Sequence, residues 1–250
     1  MNSQETYEIQ SFNDLVKNNP YVGRGIIIGM TEDSKNVVTA YFIMGRSENS
    51  RNRVFRWVED GIIIEPFDES KVEDPSLIIY YPLKDLPNGD IIVTNGNQTD
   101  TIYDVMKEGG SFVDALRLRE FEPDDPNWTP RISGIINFDD EIYQGFTYSM
   151  SILKSGDPKG NSCNRFFYEY EPVPGLGHFL HTYMGDGNPL PTFTGEPERV
   201  TIPSDMVQFS HEIWNSLNKD NKISLYVRYS DIETGECEEI LINKHEQEEE

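Results

Sequence analysis

Over several short stretches of this chain, apolar residues recur at every second position, a spacing that fits a sheet and does not fit a helix. Phe146, Tyr148, Met150 and Ile152 alternate with Thr147, Ser149 and Ser151. Successive side chains of a strand point to opposite faces, so this is a strand with one face covered. Ile223, Leu225, Val227 and Tyr229 repeat the pattern, and a Glu233-Thr234-Gly235 turn leads into Ile240-Leu241-Ile242, which predicts a closing hairpin. In the first half, Gly25 to Met30, Val37 to Met44, Val54 to Val58, Gly61 to Ile64, Leu77 to Tyr81 and Ile91 to Thr94 are short apolar or alternating runs. Turn signals such as Glu32-Asp33-Ser34 and Pro87-Asn88-Gly89-Asp90 separate them, as in a sheet of hairpins. Arg165 to Glu171 is expected to pair with the Phe146 strand.

Helical spacing is rarer. Thr99-Asp100 suits a helix cap, after which Ile102, Val105 and Met106, then Val113, Leu116 and Leu118, recur at helical intervals interrupted by Gly109-Gly110. This predicts two short helices joined at the glycines. Ser204 is expected to cap a further helix, in which Met206, Val207, Phe209, Ile213, Trp214 and Leu217 form one apolar stripe to pack on a sheet. Runs of strands separated by helices, without regular strand-helix alternation, place the chain in the α+β class, with two stacked, mainly antiparallel sheets covered by helices.

The 250 residues, 36% of them hydrophobic, suffice for an ample core in one large domain or two small ones. No run of about 18 apolar residues is present, and the polar start Met1-Asn2-Ser3-Gln4-Glu5 lacks the regions of a signal peptide, so a cytoplasmic protein without membrane contact is expected. Cys163 and Cys237 have no metal-ligand spacing and read as small, buried, inert side chains. A net charge of -23 argues against nucleic acid as a partner, since that binding needs a broad basic surface.

Against this charge, Met44 to Arg56 carries Arg46, Arg51, Arg53 and Arg56 and a single glutamate. Arginine offers a planar fork of donors that matches phosphate and carboxylate oxygens, so the cluster reads either as an anion site or as a solvated loop paired with nearby carboxylates. Thr94-Asn95-Gly96-Asn97-Gln98-Thr99-Asp100-Thr101 lies between a strand end and a helix start. Its amides suit the edge of a heterocycle or carboxamide, though Asn-Gly and Thr-Asp are also ordinary turn and cap dipeptides. Glu120 to Ile132 places four carboxylates in an acidic loop ahead of Arg131 at a strand start. Glu122 is a proton-transfer candidate there only if arginines surround it. His178 and His181, three apart, would share a helical face, but without a third ligand they read as rim or packing residues. Tyr80 and Tyr81 end an apolar run and either place a phenol at a pocket mouth or fill core. No glycine-rich nucleotide loop is present.

Taken in order, these segments resemble the archaeal-type inosine monophosphate cyclohydrolase family. The resemblance rests on Tyr21-Val22-Gly23-Arg24, Ala40-Tyr41, Arg46-Ser47, Asn52-Arg53, Tyr80, Asn95-Gly96-Asn97-Gln98-Thr99-Asp100-Thr101-Ile102, Glu120-Phe121-Glu122, and Asn127 to Ile132. It implies a four-layer αββα fold similar to N-terminal-nucleophile hydrolases, spanning 21–244 as one domain after an extension over 1–20 and before an acidic tail over 245–250. The implied reaction closes 5-formamidoimidazole-4-carboxamide ribonucleotide to inosine monophosphate (IMP) and water, the last step of purine synthesis, with no metal and no cofactor. The implied site gives Glu122 proton transfer, with Tyr80 and Arg53 orienting the substrate and stabilising charge on oxygen. Asn95 would read the carboxamide or base edge, Arg24, Arg46 and Arg131 would clamp phosphate and ribose, and Asn52, Gly96, Thr99 and Asp100 would complete the binding set. Arg51 and Arg56 fall outside the matched positions. The residues before Tyr21, the arginine loop, the stretch from Ser155 to Asn188 and the C-terminus depart from the family pattern.

Two other readings compete. A non-catalytic purine-nucleotide-binding protein would keep the arginines without the chemistry. An amidohydrolase of the N-terminal-nucleophile type would need a Cys, Ser or Thr freed beside its own amine, and no processed nucleophile is apparent. A homo-oligomer is left open.

Overall fold

The computed structural model describes residues 7–72, 79–139 and 145–247. Its described residues form two antiparallel sheets. The first has six strands, in the order β11 (Glu198–Thr201), β10 (Leu176–His181), β1 (Arg24–Met30), β2 (Asn36–Met44), β12 (Lys222–Asp231) and β13 (Cys237–Asn243). The second has seven in chain order: β3 (Val54–Val58), β4 (Gly61–Glu65), β5 (Tyr80–Asp85), β6 (Ile91–Thr94), β7 (Arg131–Phe138), β8 (Phe146–Ser155) and β9 (Cys163–Tyr170).

The alternation explains the stacking. Ile26, Ile28, Tyr41 and Ile43 of the first sheet face Phe55, Ile62, Ile132, Tyr148 and Met150 of the second in one buried layer. The opposite face of the first sheet, with Ile27, Phe42, Leu225 and Val227, receives Phe12 and Val16 from α1 (Phe12–Val16) and Phe209, Ile213 and Trp214 from α5 (Met206–Ser216). The outer face of the second sheet, with Ile92, Ile135 and Leu153, receives Ile102 from α3 (Gln98–Lys107) and Phe112, Ala115 and Leu116 from α4 (Phe112–Arg117). Both faces of each sheet are therefore covered, which is the four-layer αββα arrangement expected. Each large apolar side chain moved from water into these layers contributes about 1.5–3 kcal/mol, so three contiguous layers supply ample driving force.

Several local expectations are corrected. Of the run predicted from Leu77, Leu77 and Ile78 lie outside the described residues, Ile79 is not strand, and β5 starts at Tyr80. α3 starts at Gln98 after Asn97, so Thr99 and Asp100 sit within its first turn and do not cap it. The cap of α5 is Asp205, whose side chain accepts from the Gln208 N–H, in place of Ser204. His178 and His181 lie on strand β10, where a spacing of three points them to opposite faces. His178 stacks on Tyr170 with ring centroids 3.7 Å apart, and its Nδ1 lies 2.7 Å from the Tyr148 hydroxyl. Cys163 is half-buried and Cys237 is exposed, where it receives Arg228 Nη2 at 3.0 Å.

The described part of the segment before Tyr21 is built into the fold. Ser11 caps α1, and Gln10 bridges to Val200 of β11. At the other end a short helix α6 (Lys244–Gln247) carries Glu246, which pairs with Arg56, so the tail begins as structure. Among the described residues, no helix is long and apolar enough to cross a membrane.

Candidate active site

Where β1 begins, a cavity of about 340 Å³ opens, lined by Tyr21, Arg24, Arg46, Glu122, Asp124, Thr129 and Tyr183 among others. Gly23 sets this corner. Its φ of +80° is costly for an L side chain, and an added Cβ would stand 2.1 Å from Thr182 Oγ1 and 2.5 Å from the Tyr183 ring. The Tyr21-Val22-Gly23-Arg24 segment thus packs its glycine on Tyr183 and sends Arg24 into the strand, where its N–H donates to Thr182 Oγ1 at 3.1 Å.

Glu122 reaches the cavity from the loop after α4. Phe121 is buried against Trp128, and the Glu122 N–H donates to the Thr129 carbonyl at 2.9 Å. This folds the acidic loop so that Glu122 and Asp124 line the cavity while Glu120 and Asp125 stay exposed. Burial lifts the Glu122 carboxyl above its usual range, although Arg24 and Arg131 pull the other way. Burial works against the charge of Arg24 too, but Glu122 and Tyr80 outweigh it and leave that guanidinium held above its ordinary value. The Nε atoms of Arg24 and Arg131 are buried without a hydrogen-bond partner among the described residues. Leaving a buried donor unpaired is unfavourable, so both groups have donor capacity to give a ligand.

Arg53 and Tyr80 stand behind this cluster, 4% and 5% exposed. Arg53 Nε donates to the Ser50 carbonyl at 2.8 Å, and burial followed by repulsion from Arg24 lowers its pKa. An arginine so lowered still carries its charge. Burial raises the phenols of Tyr80 and Tyr41, which share a hydrogen bond of 3.0 Å between their hydroxyl oxygens. Arg131 Nη1 donates to Gln98 Oε1 at 2.7 Å. At the rim, Arg46 ion-pairs with Asp186, donates to the Gly187 carbonyl at 2.9 Å, and lies 5.1 Å over the Tyr21 ring.

Other expected site residues serve the frame. Asn95 is wholly buried, with Nδ2 donating to the Pro130 carbonyl at 2.8 Å and Oδ1 accepting the Ile132 N–H at 2.9 Å. Both ends of its amide are occupied, so it ties β6 to β7 and does not present an edge to a ligand. Thr99 is equally buried, its hydroxyl 2.6 Å from that of Thr94. Asp100 is exposed to solvent on α3. Asn52 clasps the Asp68 backbone through both amide atoms, at 2.8 and 2.7 Å, and lines a different cavity with Phe67 and His245. Gly96 does belong beside the charges, since a Cβ there would meet Arg131 Nη1 at 2.4 Å and Glu122 Oε1 at 3.5 Å. Arg51 donates to the Gly45 carbonyl and to Asn221, and Arg56 pairs with Glu246, so both serve local structure.

Sequence reasoning missed Tyr183, Thr129, Asp124 and Asn127 as lining residues. The Thr129 hydroxyl lies 2.6 Å from the Tyr183 hydroxyl, and Asn127 Oδ1 accepts the Leu190 N–H at 3.1 Å. Thr129 and Asn127 fall inside the matched Asn127 to Ile132 segment, which was the available signal. Tyr183 lies in the divergent stretch and gave none.

This arrangement can hold an anion at its arginines and move a proton at Glu122. A family model for IMP cyclohydrolase-like proteins matches residues 21–235. A Methanococcus aeolicus protein named IMP cyclohydrolase is 31% identical over 155 residues, covering 60% of this chain and 74% of that protein. One of the same name from Methanosphaera stadtmanae is 35% identical over 155 residues, with the same shares of 60% and 74%. A third, from Methanococcus maripaludis, is 36% identical over 132 residues, covering 50% of this chain and 62% of its own. With the family model matching most of the chain, this protein belongs to the IMP cyclohydrolase-like family.

Proposed function

We propose that this protein is a cytoplasmic IMP cyclohydrolase, closing the formamidoimidazole carboxamide ribonucleotide to IMP and water. The observation that carries the reading is Glu122, a carboxyl lifted by burial on the wall of a cavity that Arg24 also lines, within the electrostatic reach of Arg131. Raising a carboxyl's pKa by burial makes it a better proton acceptor than a surface carboxylate, while leaving it able to return the proton.

Ring closure forms a bond from the carboxamide nitrogen to the formyl carbon, and the formyl oxygen leaves as water. The nitrogen loses one proton as the formyl oxygen gains one, and the resulting hydroxyl leaves as the former formamide nitrogen gives up its own proton. In this reading Glu122 takes the first proton and delivers one to the oxygen. Each such positioned transfer is worth about 100-fold to 10,000-fold. Tyr80 supplies a donor to the formyl oxygen. Tyr41 is wholly enclosed and, among the described residues, has the Tyr80 oxygen as its acceptor, so its hydrogen is spent there and that of Tyr80 is left for the substrate. Arg53 adds fixed positive charge where negative charge develops on oxygen. Arg46 at the rim and Arg24 on the cavity wall, backed by Arg131, suit a phosphate and ribose.

The test is to supply the purified chain with the formamido ribonucleotide and follow ultraviolet absorbance for IMP. Turnover is expected; folded protein that binds IMP without forming it would identify a nucleotide-binding protein instead.

A further inference from the structure

Tyr183 is fully enclosed by protein except where it lines the cavity, and its hydroxyl hydrogen has a fixed destination. Asp124 sets the direction. Its carboxylate can only accept, and it does so twice from Thr129, taking the N–H at 2.6 Å and the hydroxyl at 2.5 Å. The single Thr129 hydrogen is therefore spent on Asp124. The 2.6 Å contact between Thr129 and Tyr183 must then carry the Tyr183 hydrogen toward Thr129. The oxygen of this cavity-lining residue is thus left with acceptor capacity and no hydrogen of its own to give.

We infer that Tyr183 is a specificity residue whose phenolic oxygen accepts a hydrogen bond from a ribose hydroxyl of the nucleotide. The inference rests on the proposed ligand. Tyr183 lies between the two ends of the site. Its ring stacks on Tyr21 at 5.9 Å, Tyr21 carries the Arg46 guanidinium, and Thr129 joins it to the backbone of Glu122. With phosphate near Arg46 and the reacting groups near Glu122, the sugar is what remains beside Tyr183. Arginines cannot do this job with the same selectivity, because they donate and a hydroxyl can answer them as an acceptor in many orientations. An acceptor with no hydrogen demands a donor.

The experiment is calorimetric binding of IMP and of its 2′-deoxy and 3′-deoxy analogues to the native chain and to Tyr183→Phe, Thr129→Ser and Thr129→Val. An enclosed acceptor left without its partner weakens binding by about 5-fold to 100-fold, so the native chain should reject one deoxy analogue by that factor. Tyr183→Phe should bind IMP and that analogue alike. Thr129→Ser keeps the chain of hydrogen bonds and should keep the discrimination. Thr129→Val frees the Tyr183 hydrogen and should lose it, which separates polarity from packing. Equal binding of IMP and both analogues by a native chain that turns over overturns the inference and leaves the function standing. Discrimination without turnover supports the inference and overturns catalysis; no IMP binding by folded chain overturns both.

Discussion

Gly96→Ala is the smallest change that tests the geometry around Glu122. The added Cβ would stand 2.4 Å from Arg131 Nη1, 2.7 Å from Gln98 Oε1 and 3.5 Å from Glu122 Oε1. Carbon contacts settle near 3.5 Å or beyond, so the Arg131 guanidinium must retreat by roughly 1 Å. That breaks its bond to Gln98, a side chain with no exposed surface whose Nε2 is already committed to Asn95 and the Ile132 carbonyl. An abandoned acceptor at such a site costs about 1–3 kcal/mol, against which a restricted unfolded chain returns about 0.4–1 kcal/mol. A net loss of about 1–2 kcal/mol lowers the melting temperature by about 2–8 °C for a domain of this size. Activity should suffer more than stability, since roughly 1 Å of misplacement at a reacting centre can cost about 100-fold. Steady-state ring closure and thermal unfolding measure the two effects. Gly185→Ala is the control, because its Cβ would meet only Asn19 Oδ1, at 3.9 Å. Native kinetics together with a native melting temperature for Gly96→Ala would refute the crowding on which the site description depends.

Three further outcomes follow from the same contacts. Tyr41→Phe should lower kcat by about 5-fold to 10-fold with KM little changed, and should have no further effect in a Tyr80→Phe background, since coupled groups are non-additive. Additive effects would remove Tyr41 from the phenol pair. Arg46→Ala should raise KM more than kcat falls, and the difference should shrink with added salt, because this guanidinium sits at an exposed rim; an effect on kcat alone would place Arg46 elsewhere in the reaction. Burial, then Arg199, holds the His178 imidazole down at about 4. The unfolded chain takes up this proton below about pH 6.5 and the native chain does not, so stability is present above that pH and falls by up to about 3 kcal/mol toward pH 4. Urea unfolding at several pH values should show this slope in the native chain and a flatter one in His178→Gln, and equal slopes would contradict it.

The layers were legible because burial repeats. Phe146 to Ile152 and Ile223 to Tyr229 each declare a covered face by alternation alone, and the α5 stripe declares its partner sheet. Which side chains come together was legible only where charge is unusual for its place. Arg24, Arg131 and Glu122 met as the motifs suggested, but Asn95 and Thr99 use the same polar atoms to satisfy main chain, a choice fixed by tertiary contacts that spacing does not encode. Tyr183 was invisible for the converse reason. A tyrosine just past a strand end is ordinary core until Thr129 and Asp124, more than fifty residues earlier in the chain, assign its hydrogen.

Glu122→Gln tests the central claim most directly. The amide keeps the shape of the carboxyl and cannot accept and return the proton, so turnover should fall by about 100-fold or more while IMP binding, measured by calorimetry, stays within a few-fold of native. Turnover that persists at the native rate in this variant would contradict the account.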